Sequence, residues 1–389
     1  MEITCEKNSL STALSLASKA INSRSPLPIL SHILMRTENQ NLKIAATDLD
    51  LGISLELAVE SIDSGAVACP SKLLNEIISK LPSQPVRFRS HYDGRLELSC
   101  GRSRFEISTL PAEEFPSMPK FSVGKGLSVP QKLLKMAIKR VILAVAQLDE
   151  SRTVMMTGVL LRKEGQKLLL VGTDGRRMSY QCIAIDSDLE FEPVIVPGRA
   201  MQELSRLLGE TNEPVDLLFS DGQVFCRLND PGQGLQALSL HCRLLDGVFP
   251  DYRKVLPSGF TRKVRVGRDP LLSALQRMLI LAQEKLSPNL VLFEIEEEML
   301  RISAHTPDLG VGSEEVNVCL EGDALKIAFN GRYIVDVLGH LDCEEVVIEF
   351  QDDSRSAQIS IADSEDFRYV IMPVKLREPA AEEASASVA

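Results

Sequence analysis

Two unrelated landmarks recur along this chain at a common step. Thr47-Asp48-Leu49-Asp50 returns as Thr173-Asp174-Gly175-Arg176-Arg177 and, more faintly, as Thr306-Pro307-Asp308. Cys69-Pro70-Ser71-Lys72-Leu73-Leu74 has counterparts in Val196-Pro197-Gly198-Arg199-Ala200 and Phe329-Asn330-Gly331-Arg332-Tyr333, and each opens a helix-like run. The first landmark advances by 126 and then 133 residues, the second by 127 and then 133. Landmarks that move together mark tandem copies of one domain. A chain of 389 residues then divides into three copies of ~125 residues, an ordinary domain size.

Each repeat reads as a helix followed by several strands, stated twice, which makes the fold class α+β. The first helices are expected over 9–21, 131–146 and 268–285, the second over 71–81, 198–208 and 331–341. In 131–146 the apolar residues Leu133, Leu134, Ala137, Ile138, Val141 and Ile142 follow the helical period, and Pro130 suits a helix entrance. Strands are expected over 29–36, 42–47 and 52–59, then 86–91, 95–100 and 103–109, in repeat one. Their counterparts after the first helix are 154–162, 167–173 and 178–185 in repeat two, and 289–294, 299–304 and 314–318 in repeat three. Pro- and Gly-bearing linkers, with Phe115-Pro116 echoed by Phe249-Pro250, place the domains at 1–122, 123–254 and 255–376. Residues 377–389, rich in Ala, Glu and Ser, read as a disordered tail.

Composition removes several function classes. No stretch reaches the ~18 apolar residues of a membrane span, and Met1-Glu2-Ile3-Thr4-Cys5-Glu6 does not begin a secretory signal. The eight cysteines are scattered without a Cys-x-x-Cys pair and read as reduced, structural residues of a cytoplasmic protein. The five histidines do not cluster with them, so a zinc site is not expected. Asp48, Asp50 and Asp174 can be drawn as metal-binding carboxylates, but aspartate at a strand-to-turn boundary is usually a turn former. There is no Gly-x-x-x-x-Gly-Lys phosphate loop and no Gly-x-Ser-x-Gly elbow, so neither catalysis nor a cofactor is expected.

The net charge of −11 argues against nucleic acid until its distribution is read. The six expected helices together carry +8, which leaves −19 on everything else. Helix 131–146 is the extreme case: Lys132, Lys135, Lys139 and Arg140 have no acidic residue within their segment. Solvated helix faces favour lysine in any case. A fold that gathers these helices would nonetheless present one basic surface on an acidic body.

The residues also carry a family resemblance. Arg24 followed by Pro26-Leu27-Pro28-Ile29-Leu30, then Thr47-Asp48-Leu49, Gly101-Arg102-Ser103-Arg104-Phe105 and Ser108-Thr109-Leu110-Pro111 with Phe115-Pro116 stand in this order. Thr173-Asp174-Gly175, Phe249-Pro250-Asp251-Tyr252 and Tyr369-Val370-Ile371-Met372-Pro373-Val374-Lys375-Leu376 follow. In this order and spacing the chain, over residues 1 to about 376, resembles the bacterial DNA polymerase III beta subunits, the sliding clamps. The resemblance implies DNA-clamp domains of helices and antiparallel sheets, two chains meeting head to tail in a closed homodimeric ring. It implies a non-catalytic, nucleoid-associated processivity factor that encircles duplex DNA without reading sequence and tethers the replicative polymerase. An ATP-driven clamp loader and other proteins bearing a clamp-binding motif are the further partners it implies. The alternative is a repeat scaffold that binds peptides without encircling DNA; basic helices distinguish the two.

For DNA, the resemblance carries over to Arg24 most directly, then to Lys72, Arg152 and Arg199; Lys132 and Lys139 are added from helix charge. Arg24 also reads as a loop cation in water. For partner peptides it implies a cleft between the second and third domains, at Met156, Thr173, Gly175, Arg176, Arg177, Met178, Pro250, Val255, Asn330, Tyr333, Ser354, Ser356 and Met372-Pro373-Val374-Lys375-Leu376. Methionine is adaptable, proline and valine supply apolar wall, and arginine offers a directed donor. By their chemistry alone Met156, Met178 and Val255 read first as core residues at domain seams. The chain departs from the family pattern in carrying Arg176 where histidine is frequent and Val374 where methionine is frequent, and residues 146–154 run one residue longer than in some relatives.

Overall fold

Among the described residues, each of the six helices follows the end of a short strand, a pattern the repeats only half disclose. In the computed structural model, residues 1–22, 27–119, 126–149, 153–228, 234–283 and 288–375 are described. Among them, strands Glu2–Cys5, Gly65–Pro70, Leu127–Pro130, Val194–Pro197, Arg262–Gly267 and Leu325–Asn330 lead into helices α1 (Lys7–Ala17), α2 (Ser71–Lys80), α3 (Gln131–Ile142), α4 (Gly198–Leu207), α5 (Arg268–Leu281) and α6 (Gly331–Leu338). Each of those strands was absent from the sequence reading as a separate element. Four to six residues are too few to display an alternation, and Pro70, Pro130 and Pro197 end three of them.

The helices are held by one apolar stripe each. Leu10, Ala13, Leu14 and Ala17 of α1, and Leu134, Ala137, Ile138 and Val141 of α3, are all fully buried. This is the i, i+3, i+4, i+7 pattern that seats a helix on a sheet, with roughly 1.5–3 kcal/mol for each large side chain removed from water. Leu133 of α3, counted in the same stripe from sequence, is instead 37% exposed.

Two segments expected as strand begin otherwise. Residues 28–31 and 154–157 form single 3-10 turns before strands His32–Glu38 and Gly158–Glu164. Both turns are closed by the same device: Ser31 Oγ donates to the Pro28 carbonyl at 2.6 Å and Thr157 Oγ1 to the Val154 carbonyl at 2.7 Å. In the other direction, strand Gly310–Glu321 is 12 residues long where only 314–318 was expected.

The chain forms two compact units. The first holds residues 1–139, 158–169 and 183–248, the second residues 140–157, 170–182 and 249–389. Repeat two is thus shared between them. The first unit contains a five-stranded sheet in the order Glu60–Asp63, Glu2–Cys5, Val86–Ser90, Arg95–Cys100, Ser103–Ser108. It also contains an eight-stranded sheet in which Leu235–Arg243 of repeat two pairs antiparallel with Leu51–Ala58 of repeat one, His241 opposite Gly52. In the second unit Phe367–Ile371 of repeat three pairs in the same way with repeat two, Arg177 opposite Ile371 through Gln181 opposite Phe367. Successive repeats are therefore joined by strand pairing, which satisfies edges that would otherwise stay open.

No helix among the described residues is long and apolar enough to cross a membrane.

Candidate functional site

The recurring Thr-Asp motif is one backbone turn built twice, bond for bond. Thr47 Oγ1 donates to the Leu51 carbonyl at 2.9 Å, and Thr173 Oγ1 to the Arg177 carbonyl at 2.8 Å. The same hydroxyls accept from Leu49 N at 3.0 Å and Gly175 N at 3.1 Å. Asp48 Oδ1 accepts from the amides of Asp50 and Leu51, and Asp174 Oδ1 from those of Arg176 and Arg177. These carboxylates are consumed in making the turn, which is the turn-former role and not a metal-ligand one. The third copy diverges: Thr306 Oγ1 donates to the Leu281 carbonyl, and Leu309 N bonds the Thr306 carbonyl at 3.0 Å.

The second turn anchors the candidate cleft, whose described residues all lie in the second unit. A Cβ built on Gly175 would lie 4.0 Å from Met156 Sδ, so the methionine sits over the turn. Met372 N donates to the Arg176 carbonyl at 3.0 Å, and Val374 N to the Ala328 carbonyl at 2.8 Å. The segment 372–374 is therefore pinned from both sides. Tyr252 is buried with its ring centroid 6.1 Å from that of Tyr180, and it fixes a 3-10 turn, Tyr252–Lys254, between Pro250 and Val255. Met372 is 56% and Val255 48% exposed. Met156, Pro250, Pro373 and Val374 are half-buried, so each of these segments keeps an apolar side chain partly open.

Several expected cleft residues do other work. Arg177 is not a loose donor: Nε meets Asp174 Oδ2 at 3.0 Å, Nη1 meets Asp336 Oδ2 at 3.1 Å, and the guanidinium lies 4.1 Å from the Tyr333 ring centroid. Its side chain is only 13% exposed. Met178 is buried in the core, as strand alternation from half-buried Arg177 requires. Asn330 Oδ1 caps α6 by accepting from Arg332 N at 3.1 Å. Ser354 gives both its amide and its hydroxyl to Asp352 Oδ1. Ser356 is half-buried, Arg176 and Lys375 are exposed, and Leu376 lies outside the described residues. Sequence reasoning missed Asp336 and Tyr369. Burial pushes the Tyr369 phenol well above its ordinary range, so it stays protonated and donates to the Tyr333 carbonyl at 3.1 Å. Asp336 had one signal, its position four residues after Arg332, with which it also pairs.

The basic helix faces are narrower than counting implied. Arg140 is buried, donates to Gln181 Oε1 at 3.1 Å and lies 5.7 Å from the Phe367 ring centroid, so it is not a surface cation. Arg199 forms an ion pair with Asp48, and its Nη2 lies 3.3 Å from the Lys19 and Ala20 carbonyls. Arg206, Arg268, Arg277 and Arg332 pair with Glu203, Asp269, Glu314 and Asp336. The exposed lysines Lys72 and Lys80 of α2 and Lys132 and Lys139 of α3 remain. Even α3 is tempered from outside. Glu210 lies 2.9 Å from Lys135 and 3.8 Å from Lys139, and the hydrogen bond from Lys135 holds its carboxyl below the usual range. Arg24 and Arg152 lie outside the described residues.

A chain of three α+β repeats, sewn together strand to strand, falls in the clamp class of folds. Three family models match in series: the N-terminal domain of the DNA polymerase III beta subunit over residues 1–119, its central domain over 128–251 and its C-terminal domain over 253–375. A beta sliding clamp of Vibrio cholerae is 30% identical over 97% of this chain and all of its own length, and that of Pseudomonas aeruginosa 32% over the same shares. The crystal structure of the DNA polymerase sliding clamp from Bacillus subtilis superposes with a TM-score of 0.91 at 25% identity, covering 97% of this chain and all of that one. The chain belongs to the DNA polymerase III beta subunit family of sliding clamps.

Proposed function

We propose that two copies of this chain close head to tail into a ring that encircles duplex DNA and holds a polymerase on its template. The ring does no chemistry of its own. Its working division is three clamp domains at 1–122, 123–254 and 255–376. The observation that carries the reading is a pair of open strand edges. Strand Leu51–Ala58 is partnered by Leu235–Arg243 of the next repeat, and strand Arg177–Ala184 by Phe367–Ile371 of the next. The corresponding stretch of repeat three, residues 310–317, pairs with Met299–Thr306 on one side and has no strand on the other among the described residues. Strand Ser103–Ser108, the last of repeat one, likewise ends its sheet. Each edge is what the other lacks, and one chain ends its series of seams where a second copy would begin.

Exposed Lys72, Lys80, Lys132 and Lys139 supply sequence-independent phosphate contacts. The surface of Met372, Val255, Met156 and Pro250 receives a short apolar peptide from the polymerase or another partner. In it Arg177 positions the Gly175 turn and does not itself grip the ligand.

Sedimentation of the purified protein tests the seam. A species of twice the 42.9 kDa chain mass is expected, and Phe105→Asp on the open edge, where Phe105 is 38% exposed, converts it to monomer. A monomeric wild type overturns the ring. Once a bacterial clamp loader has placed the protein on nicked circular DNA, linearising the circle releases it; retention on the cut DNA favours a scaffold that binds without encircling. Lys132→Ala with Lys139→Ala shallows the salt dependence of residual DNA binding by a slope of about 2, one ion-release step per phosphate contact. Met372→Ala weakens a partner peptide by about 1 kcal/mol, roughly fivefold in Kd.

A further inference from the structure

The seam between repeats one and two carries a recess of about 420 Å³ beside the first Thr-Asp turn, wholly within the first unit. It is large enough for a side chain with its flanking backbone. Its wall is acidic: Asp50, Asp221 and Asp246 stand against the single guanidinium of Arg243. All three carboxylate-bearing residues are exposed, so acidity alone is only a solvated surface.

Two buried groups separate this recess from such a surface. His241 lines it and is 92% removed from solvent (8% exposed), and its imidazole makes no hydrogen bond to the described residues. The imidazole packs on Gly52 so closely that a Cβ there would come 2.0 Å from its Cε1, and Met118 Cε approaches the same point at 2.8 Å. Glycine at 52 is thus the condition for the ring's position. Gln223 also lines the recess, and its Oε1 is buried with no donor. That oxygen is closed off from solvent, so it makes the recess floor polar and is not a contact for a ligand in the open volume.

The counterpart positions at the other seam show that this is not a second copy of the apolar cleft. By the register of the two strand pairs, Asp50 stands where Arg176 stands and Arg243 where Met372 stands. The chemistry required here is a donor-rich cation with an apolar stem. A guanidinium presents five N–H donors in one plane, enough to satisfy an imidazole nitrogen and a carboxylate together, while its methylenes lie along Met118. We propose that the recess is a binding site for an arginine side chain carried by a partner peptide. The proposal rests on this seam alone and stands or falls apart from the ring and from the apolar cleft.

The test is a titration of the full-length protein with acetyl-Leu-Arg-Leu-amide, and with the same peptide carrying citrulline for arginine. It is followed by the His241 Cε1–H resonance, assigned by its disappearance in His241→Gln. A saturable shift is expected with the arginine peptide, at least tenfold weaker with citrulline and at least tenfold weaker in Asp50→Asn/Asp246→Asn. That variant changes two exposed side chains, and an unaltered melting temperature shows that it remains folded. No shift up to about 5 mM peptide overturns the site, as does an equal response to citrulline or an undiminished response in the double variant.

Discussion

The two intrachain seams share a backbone and differ in what they do with it. At both, a threonine and an aspartate close the same turn and the following strand pairs with the next repeat. At the second seam the residue after the turn is Arg177, clamped by Asp174, Asp336 and the Tyr333 ring. At the first it is Leu51, buried at 2% exposure, and the aspartate of the turn is answered instead by Arg199 from α4. One turn is locked by a half-buried charge network, the other by apolar packing with an ion pair at its rim. The backbone geometry was kept while the means of holding it was exchanged, so a conserved turn does not imply a conserved surface above it.

The largest expected consequence follows from that network. Arg177→Leu takes the guanidinium from Asp174 and Asp336, at 17% and 25% side-chain exposure, and leaves Asp336 only Arg332 and Asp174 only the amides of its turn. Breaking one partner of such a pair costs about 3–5 kcal/mol when burial is complete, and about 3 kcal/mol is expected at this exposure. Arg199→Leu at the other seam, where the arginine is 44% exposed but Asp48 only 8%, should cost about 1–2 kcal/mol, because Asp48 keeps the Asp50 and Leu51 amides as donors. Urea denaturation of the two variants measures the contrast. Equal losses would mean that the seams are held alike.

The seams should also separate by pH. Burial pushes the His241 imidazole down to about 4 from its ordinary value of 6.5, with Asp48 acting in the opposite direction. The unfolded chain therefore takes up this proton at a higher pH than the folded one. Stability from a neutral His241 is in place above about pH 6.5, falls as the pH drops to about 4, and changes no further below that. The full span is on the order of 3 kcal/mol. His241→Phe, whose ring would keep the contact with Phe225 (ring centroids 6.1 Å apart in the wild type), removes that slope, so the difference in denaturation midpoint between variant and wild type should close or reverse toward pH 4. A constant difference from pH 7 to pH 4 would show that the imidazole is solvated.

How much of this was legible depended on the distance over which each cause acts. The helices were, because Leu134, Ala137, Ile138 and Val141 carry their own period. So was the Thr-Asp turn, whose bonds all close within five residues. The turns at 28–31 and 154–157 read as strand because Ile29, Leu30 and Val154 look extended, and the hydroxyls that close them act locally but have no periodic signal. Glycines 310 and 312 lack the side chains that would show an alternation, so the start of strand Gly310–Glu321 carried no signal before residue 314. The charge reading failed where long-range partners decide. Glu210 reaches α3, Glu314 reaches α5 and Asp48 reaches α4 from other elements, and counting within a helix cannot register them. Arg177 was expected to be a loose donor for a partner peptide, and its commitment to Asp336 was not legible, since Asp336 lies 159 residues away.

The smallest effect is the sharpest test of the shared turn. Gly175 sits at φ 83° and Leu49, its counterpart, at φ 85°. Glycine adopts that left-handed conformation freely, whereas a leucine bears about 1–2 kcal/mol of steric cost. Leu49 is 57% exposed, so little packing is lost on truncation. Leu49→Gly removes the strain but enlarges the unfolded chain's freedom by about 0.5–1 kcal/mol, which leaves a net gain of roughly 0.5–1 kcal/mol. Gly175→Ala runs the other way. The nearest atom to its Cβ, Met156 Sδ at 4.0 Å, leaves ordinary room, so conformation and not collision sets a cost of about 1 kcal/mol. Opposite signs at two positions of one backbone geometry are the expected result. If Leu49→Gly destabilised the chain instead, the leucine would be held at that angle by contacts worth more than the strain, and the first turn would owe its shape to the recess wall and not to its hydrogen bonds.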